Sequence, residues 1–372
     1  MLYGGRVIHM FRGRFPLAVA LVPLCAAGAA QSPTADAPKP DPIAYLNRAL
    51  DEMQARALRR GTVDWPHVRA EALARAAHAN TAADTYDAIR FALASLGDHH
   101  SSFHPAPAIA RLESQRQPRQ TVAPSSPFIG RYEPDGRLAT LGGGIFAIVV
   151  VTKCFPENDR QFVAYETKLQ GLVADLDRSH PSGWVVDLRG NVGGNMWPML
   201  TGIGPLLGEG DRLGEFFNTG GHSVWRYRDG VASEVGDDGK ADPYPPVAGS
   251  PYKVVGTPHV AVLIDGGTGS SGEAVAIALR GRPNTRFFGE HTQGASTVNE
   301  VFALSDGAAM WLTIGVDADR TGKQYIDGFA PDEAIRGGDK ALPDAQDPVL
   351  QAALRWLSAL LRNQTKPPAT SH

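Results

Sequence analysis

The chain has 372 residues, of which 43% are hydrophobic and 20% are charged, and this composition excludes an intrinsically disordered protein. The formal net charge of −3 shows no basic excess, so the composition argues against a nucleic-acid-binding protein. The length allows one large domain or two ordinary ones, each with an ample core.

The first thirty residues have the pattern of a secretory signal peptide. A basic region precedes an apolar stretch over residues 15–27, and small residues follow it. The apolar stretch is too short to span a bilayer comfortably, and the small residues offer a cleavage site near Ala30. We therefore predict that residues 1–30 are removed and that the protein is exported to the periplasm or the extracellular space. An uncleaved anchor is the alternative, and translation starts at Met1 or at Met10.

Only Cys154 remains after that cleavage, because the other cysteine, Cys25, lies in the apolar stretch. A single cysteine cannot form an internal disulfide, so the core alone must hold the exported protein together. Lipidation of Cys25 is disfavoured, because Leu24 precedes it where a lipobox needs a small residue. Cys154 follows an apolar run and is predicted to be a packed residue at a strand end. With no other long apolar run, the mature protein is expected not to insert stably into a membrane.

Residues 42–112 are predicted to form a small helical domain, after a linker over residues 31–41 that is rich in proline, alanine and aspartate. Apolar residues at helical spacing and helix-starting residues support this prediction. Gly97 ends the last helix. The predicted helices begin at Pro42, Trp65 and Thr81, and the second extends to Ala79.

Residues 125–362 are predicted to form an α/β domain with a central sheet, followed by a polar tail over residues 363–372. The reason is the alternation of apolar strands with helical patterns. Within this domain, residues 216–235 are interpreted as an irregular hairpin excursion. The predicted strands cover residues 145–151, 183–188, 259–264, 285–288, 297–304 and 309–316, and the predicted helices cover 159–177, 196–207, 273–280 and 346–362.

Ser270 lies in a glycine-rich turn, residues 265–273, between an apolar strand and a helical pattern. Such a turn exposes a serine hydroxyl beside backbone N–H groups that can stabilise an oxyanion. A second interpretation remains open, in which Ser270 caps the helix, because Ser-x-x-Glu is also a capping box. Glu273 then either orients the site or simply stabilises the helix N-terminus.

Two other segments carry residues suited to the same chemistry. Residues 187–194, Asp-Leu-Arg-Gly-Asn-Val-Gly-Gly, follow an apolar strand, and residues 96–103, Leu-Gly-Asp-His-His-Ser-Ser-Phe, end the third helix. A serine hydroxyl needs a base within hydrogen-bond reach. Histidine titrates near neutral pH, so it can take the serine proton and return it to the leaving amine.

Together these motifs resemble the C-terminal-processing (tail-specific) serine peptidase family, which also holds the tricorn core protease and the nisin-resistance peptidase. The family pattern Thr-x-Ser-x-[Ser/Gly]-Glu matches residues 268–273 and places the nucleophile at Ser270. The resemblance covers roughly residues 85–335. It implies a crotonase- or ClpP-like βαβ catalytic core. The other family elements are matched by residues 187–194, residues 289–294, Asp306–Gly307 and Pro331–Asp332.

The chain departs from the Ser–Lys dyad that many family members use. Ala295 stands where they have the lysine, and Asn299 stands where they have a glutamine. The tricorn and nisin-resistance branches instead use a histidine from an earlier segment. The Asp-x-His-Ser context of the latter branch fits residues 98–101 and points to His100 as the base. A PDZ module, usual in tail-specific relatives, is also missing, because only about forty residues separate the histidine segment from the strand at Ile145.

The resemblance and the residue chemistry therefore imply a Ser–His dyad of Ser270 and His100. The predicted oxyanion hole consists of the backbone N–H groups of Gly193, Gly194 and Ser271. The possible supporting residues are Asp98, Glu273 and Asn299.

Alternatives remain open for each of these roles. His99 is the other candidate base, and residues 193–194 are alternatively a plain turn. His99, His100 and His104 are an alternative metal site, but no carboxylate-rich or His-Glu-x-x-His pattern accompanies them, so we predict neither a metal nor a cofactor.

We expect an exported serine peptidase that cleaves a peptide or protein substrate through an acyl-enzyme. Asp187 and Arg189 are predicted to form an internal ion pair rather than to act as catalysts. The runner-up is a non-catalytic ligand- or peptide-binding module on the same fold, which the missing lysine motivates. An esterase or amidase is a third option, because the same site would serve.

Overall fold

The computed structural model describes residues 41–116, 133–156, 158–242 and 244–364. The predicted signal peptide, its cleavage site and nearly all of the predicted linker and polar tail lie outside the described residues. Within those ranges, none of the helices combines the length and the apolar character that crossing a membrane requires.

The N-terminal part contains three helices that begin close to the predicted positions. Asp41 caps the first helix, since its carboxylate accepts the N–H groups of Ile43 and Ala44. The predicted start at Thr81 is confirmed, because Thr81 and Asp84 make the contacts of a capping box, and a short 3₁₀ turn, Ala82–Thr85, then leads into the third α-helix. The helices are α1 (Pro42–Arg56), α2 (Trp65–Arg75) and α3 (Tyr86–Ala94).

Two sheets follow, where the sequence predicted one central sheet. The first is mostly parallel, in the order β13-β9-β8-β4-β3-β2, with β2 antiparallel at its edge. Its central strands are buried throughout, which explains their continuous apolar sequences. Its strands are β2 (Asp135–Leu141), β3 (Gly144–Val150), β4 (Trp184–Asp187), β8 (Val260–Ile264), β9 (Thr285–Gly289) and β13 (Glu333–Ala334).

The second sheet is antiparallel, in the order β1-β11-β5-β6-β7, and β10 and β12 also pair with β11. It corrects the interpretation of residues 216–235, which form a regular antiparallel meander rather than an irregular excursion. Short turns join strands with one buried face, and this geometry favours neighbouring antiparallel pairing. Its strands are β1 (Ser102–His104), β5 (Gly210–Asn218), β6 (Gly221–Arg228), β7 (Val231–Gly236), β10 (Thr297–Ala303), β11 (Ala309–Asp319) and β12 (Gln324–Tyr325).

Helices cover both faces of the parallel sheet, as the α/β prediction requires. Alternate residues of β8 contribute to different cores: Val262 lies in the core that contains α6 and α7, and Leu263 lies in the core that contains α8. The bounds of α5 and α6 agree with the predicted ones. The remaining helices are α4 (Ala106–Arg116), α5 (Asp159–Asp177), α6 (Met196–Leu207), α7 (Ser271–Leu279) and α8 (Pro348–Gln364).

The three N-terminal helices share one apolar core with the antiparallel sheet. Met310 and Leu312 of β11 are fully buried among the apolar residues of α1, α2 and α3. The segment that follows α3 pairs with β11 through β1. The loop at residues 97–101, which carries the predicted base, is thus held between the helices and the second sheet.

Candidate active site

Ser270 occupies a sharp turn between β8 and α7. Its backbone dihedrals are φ 49° and ψ −123°, a left-handed conformation that costs a residue with a side chain of the order of 1–3 kcal/mol. Glu273 makes the contacts of a capping box with Ser270, and its Oε2 accepts the Ser270 N–H at 3.0 Å. The capping interpretation is therefore confirmed, and it coexists with a strained strand-to-helix turn of the kind that presents nucleophiles.

The two neighbouring serines differ in what their hydroxyl groups contact. Ser271 Oγ donates to the Gly194 carbonyl at 2.5 Å, so this hydroxyl is bound to the segment of residues 190–194, which we call the glycine loop. Ser270 instead lies against Gly193, since a Cβ atom added to Gly193 would come within 2.9 Å of Ser270 Cβ. The structure therefore brings the glycine loop into direct contact with Ser270.

Glycine is required at residues 193 and 194 by both conformation and space. Their φ angles are 110° and 115°. A Cβ at Gly194 would lie 2.0 Å from the carbonyl oxygen of Cys154, which is a backbone atom and cannot yield easily. Cys154 itself is 3% exposed and lies four residues after the end of β3, which confirms it as a packed residue near a strand end.

The three N–H groups predicted to form the oxyanion hole differ in whether they already donate a hydrogen bond. The Gly193 N–H donates to Asn191 Oδ1 at 3.1 Å, so the expectation that it serves as a donor is not supported. Asn191 is fully buried and also accepts the Gly269 N–H through its carbonyl, which ties the glycine loop to the Ser270 turn. Among the described residues, no hydrogen bond engages the N–H of Gly194 or Ser271.

A buried ion triad supports the glycine loop. Arg189 donates to both carboxylate oxygens of Asp187, at 3.0 and 2.7 Å, and its other terminal nitrogen lies 2.7 Å from Asp347. All three residues are at most 3% exposed. The predicted internal ion pair is confirmed. The second carboxylate, that of Asp347, was not predicted, and it caps α8 in another part of the chain.

Glu273 connects the Ser270 turn to the position where relatives carry a lysine. Besides the Ser270 N–H, its carboxylate accepts the N–H groups of Gly294 and Ala295 at 2.9 and 2.8 Å. Burial raises the pKa of this carboxyl, whereas hydrogen bonds from Thr292 and from these backbone groups act in the opposite direction. Glu273 therefore holds the backbone on both sides of the site.

His100 and His99 have different surroundings. His100 is half-buried, its Nδ1 lies 2.8 Å from Thr297 Oγ1, and its carbonyl accepts Asn299 Nδ2 at 3.0 Å. His99 is exposed. Burial lowers the pKa of His100, and the nearby charge of Asp98 opposes that change.

Asp98 shapes the loop that carries His100. Its carboxylate accepts the N–H groups of His100 and Ser101, at 3.1 and 2.6 Å, and the Ser101 hydroxyl at 2.9 Å. Thr313 of β11 also donates to it, at 3.3 Å. Asp98 therefore positions the backbone of His100 rather than its imidazole.

Ser270 and His100 are connected indirectly through one segment of chain, residues 295–297. The Ser270 turn reaches Ala295 through Glu273, and the imidazole of His100 contacts Thr297, two residues further on. In the described part of the chain, no hydrogen bond joins Ser270 Oγ directly to His100. Catalytic hydrogen bonds are often long in the absence of substrate and shorten when it binds.

The sequence analysis did not identify Thr297 as the contact of the His100 imidazole. It also assigned the late Asp-Gly element of the family pattern to Asp306–Gly307. The Asp306 carboxylate accepts the hydroxyls of Tyr45 and Tyr86, at 2.7 and 2.6 Å, and so joins the helices to β11. Gly328 lies at the site instead, since a Cβ there would be 2.8 Å from Glu273 Oε1. The available signal was that Asp327–Gly328 lies closer to Pro331–Asp332 in the sequence.

His104 does not join the other two histidines. Its Nε2 lies 3.0 Å from Ser102 Oγ, and its ring centroid lies 3.8 Å from that of Trp311. In the ranges that the structure describes, no three histidine, cysteine or acidic residues come together as metal ligands.

Comparisons with known proteins relate this chain to a family of peptidases. Residues 154–335 match the model of peptidase family S41. The chain is 27% identical over 287 residues to the nisin-resistance protein of Lactococcus lactis subsp. lactis, covering 77% of this chain and 80% of that protein.

Two solved structures share the fold. A lipoprotein from Streptococcus agalactiae matches with a TM-score of 0.64 and 22% identity, over 88% of this chain and 99% of that one. The photosystem II D1 C-terminal processing protease matches with a TM-score of 0.56 and 18% identity, over 86% and 97% of the two chains. The expected α/β core with N-terminal helices is thus confirmed, and residues 154–335 carry a peptidase family S41 domain, which indicates a serine-type peptidase.

Proposed function

We propose that this peptidase is exported and cleaves peptide bonds through an acyl-enzyme on Ser270, with His100 as the base. The observation that carries the proposal is the strained conformation of Ser270, in contact with the glycine loop, while the hydroxyl of Ser271 is bonded to Gly194. A strained turn persists only when its surroundings determine it, and such turns are concentrated at active sites.

In the proposed reaction, Ser270 Oγ forms a bond to the carbonyl carbon of the substrate while its proton passes to His100. The oxyanion that results accepts the N–H groups of Gly194 and Ser271, and each such donor is typically worth about 2.7–4 kcal/mol in the transition state. The intermediate then loses the amine, which takes the proton from His100. A water molecule, deprotonated by the same imidazole, releases the acyl group and restores the serine.

Thr297 is proposed to orient the base. A hydroxyl that accepts from Nδ1 fixes the tautomer in which Nε2 carries the free lone pair, and Nε2 then takes the serine proton. Asn299 and Asp98 hold the backbone of the same histidine. A neutral threonine here does the orienting work for which other serine peptidases use a carboxylate.

Export is supported by the sequence pattern at residues 1–30 alone, with its basic region, short apolar stretch and small residues. It is tested by N-terminal sequencing of the protein recovered from a cell-envelope or culture fraction. A start near Gln31 supports export with cleavage, whereas an intact N-terminus contradicts the cleavage and favours the uncleaved anchor.

The catalytic assignment is tested by intact-mass spectrometry after a fluorophosphonate probe. We expect one adduct on the wild type, located at Ser270, and none on Ser270→Ala or His100→Ala. His99→Ala, which changes an exposed side chain next to the proposed base, is the matched control and should be labelled like the wild type. Labelling that survives in Ser270→Ala would reject the nucleophile, and an unlabelled wild type would favour the non-catalytic binding module.

A further inference from the structure

Exposed apolar residues occur in the segments that pack on the Ser270 turn. In the described part of the chain, seven large hydrophobic residues are exposed, and three of them lie within two residues of a backbone contact with this turn or with the segments packed on it: Phe155 at 49%, Val192 at 44% and Ile326 at 43%. Exposed apolar side chains are ordinary when scattered, but a group of them around one site marks a binding surface.

Val192 belongs to the glycine loop itself. It lies between Asn191, which is fully buried, and Gly193, which contacts Ser270. Its neighbours on both sides are fixed by hydrogen bonds to Gly269 and Cys154. The backbone on both sides of Val192 is therefore held in place, while its isopropyl side chain is exposed to solvent. Exposure of this apolar group to water does not stabilise the fold.

Phe155 lies beside the same loop. It follows Cys154, which pairs with Gly194 as in a parallel sheet. The two residues on either side of Phe155, Cys154 and Pro156, are buried. An aromatic ring that is half-exposed between buried neighbours costs hydration free energy, which a ligand that covers the ring would recover.

Ile326 approaches from the other part of the site. It is followed by Asp327 and by Gly328, which lies against Glu273 and Gly294. Arg59 donates to Asp327 at 2.9 Å and to the carbonyl of Gly97, at the start of the His100 loop. Ile326 therefore lies in a segment that is linked both to the loop of His100, residues 97–101, and to the turn of Ser270. The carboxylate of the neighbouring Asp327 already forms an ion pair with Arg59.

The acyl group of a substrate bound to Ser270 must lie beside these exposed apolar side chains. To place its carbonyl oxygen at the N–H groups of Gly194 and Ser271, a substrate has to lie along the glycine loop, next to Val192 and Phe155. We propose that Phe155, Val192 and Ile326 form an apolar subsite for a large aliphatic or aromatic residue of the substrate, adjacent to the scissile bond. This inference rests on the proposed function and names its substrate class.

The expected consequence is a preference in kcat/KM. Peptides that differ only in the residue before the scissile bond should favour leucine, methionine or phenylalanine over serine or aspartate. Gain or loss of a single methylene in an apolar pocket changes kcat/KM by about 10–200-fold, so a whole side chain should change it by at least about tenfold.

The test uses the mature protein and internally quenched peptide pairs, one with leucine and one with serine at that position. Val192→Thr replaces a methyl group with a hydroxyl, Ile326→Thr also removes the terminal methyl group, and we expect each to lower the leucine-to-serine ratio by about tenfold. Val255→Thr is the matched control, because Val255 is 94% exposed and precedes the far end of β8. It should leave the ratio unchanged, and thermal melting establishes that each variant is folded.

The outcomes separate the two proposals. Fluorophosphonate labelling of wild-type Ser270 together with equal kcat/KM for both peptides, or with a ratio that the two threonine variants do not change, rejects the subsite and leaves the catalytic assignment intact. An unlabelled wild type rejects the proposed function, and the subsite with it. A labelled wild type whose preference for leucine falls in Val192→Thr and Ile326→Thr, and stays in Val255→Thr, supports the subsite.

Discussion

The two halves of the candidate site are built from different kinds of contact. The nucleophile half, residues 187–194 and 265–273, is held by backbone hydrogen bonds, close glycine contacts and a buried ion triad. The base half, centred on His100, is held by hydroxyl and amide side chains from β10 and β11. The comparison suggests that damage to the first half unfolds the protein, whereas damage to the second half slows the reaction in a folded protein.

The largest loss of stability is expected from a substitution that adds a side-chain atom at the closest backbone contact of the nucleophile half. Gly194→Ala places a Cβ 2.0 Å from the carbonyl oxygen of Cys154, at a φ of 115° that alanine rarely adopts. We expect loss of more than about 4 kcal/mol of unfolding free energy, in the range that marks a specific structural failure. Urea denaturation measures it.

Gly171→Ala is the control for that substitution. Gly171 lies inside α5, and an added Cβ would meet nothing within 4 Å. Alanine there should raise the unfolding free energy by roughly 0.5–1 kcal/mol. If Gly194→Ala is tolerated as well as Gly171→Ala, the glycine loop is not the rigid element described above.

The next largest effect is expected for the ion triad. Arg189→Met leaves the carboxylates of Asp187 and Asp347 buried without their cation, and breaking a buried pair in this way costs about 3–5 kcal/mol. Arg178→Met, which removes an exposed pair with Asp175, should cost less than about 1 kcal/mol. Equal losses in the two variants, measured by chemical denaturation, would show that the triad does not hold the turn.

Glu166 lies in α5, outside both halves of the site, and its buried carboxyl group contrasts with the carboxylates of the ion triad. It is fully buried, its carboxyl oxygens accept no hydrogen bond from the described residues, and burial raises its pKa from 4.5 to about 9. The folded state keeps the proton that the unfolded state releases, so stability is lost as the pH rises between those values. The contribution is about 1.4 kcal/mol for each pH unit in that window.

Glu166→Gln should remove this slope from the pH dependence of the unfolding free energy. Glu209→Gln is a control of opposite sign, because Lys253 lowers the pKa of that exposed carboxyl. A wild-type stability that stays flat from pH 5 to pH 8, with no difference from Glu166→Gln, would mean that Glu166 is not buried as described.

The same contrast explains which parts of the site the sequence predicted. The nucleophile half depends on contacts between residues that are near in sequence, such as Ser270 with Glu273 and Asp187 with Arg189. Contiguous motifs record such contacts, and they were found. Asp347 was not, because a carboxylate more than a hundred residues away leaves no local pattern.

In the base half, the sequence indicated His100 but not its partner. Thr297 reaches the imidazole only because β10 pairs with β11, and the pairing register is a property of the folded sheet. The four predicted helices of the α/β domain agree with α5, α6, α7 and α8. The antiparallel sheet was not resolved as a separate unit, because short apolar runs do not show which strands pair.

The base half is tested by Thr297→Val, which keeps the shape of the side chain and removes the hydroxyl. A neutral hydrogen bond is worth about 0.5–1.5 kcal/mol, so we expect the labelling rate of Ser270 to fall by about tenfold with little change in melting temperature. Thr297→Ser should restore the rate. A variant that melts far below the wild type would instead give Thr297 a structural role like that of Arg189.

The smallest expected effect concerns the pH at which the base stops working. A general base must be unprotonated, so the rate of labelling falls as the pH drops through the pKa of His100. Burial lowers that pKa from its usual 6.5, which predicts an acid limb below pH 6.5. The negative charge of Asp98 favours the imidazolium, so Asp98→Asn should move the limb further toward acid.

The pH dependence of the labelling rate, followed in wild type, Asp98→Asn and His99→Gln, decides this point. A limb that moves in Asp98→Asn but not in His99→Gln identifies the buried histidine as the titrating group. Loss of labelling in His99→Gln, with an unchanged limb in Asp98→Asn, would transfer the role to the exposed histidine, and the base half would then need no Thr297. The direction of a small shift thus tests whether side-chain contacts across the antiparallel sheet select one of two adjacent histidines.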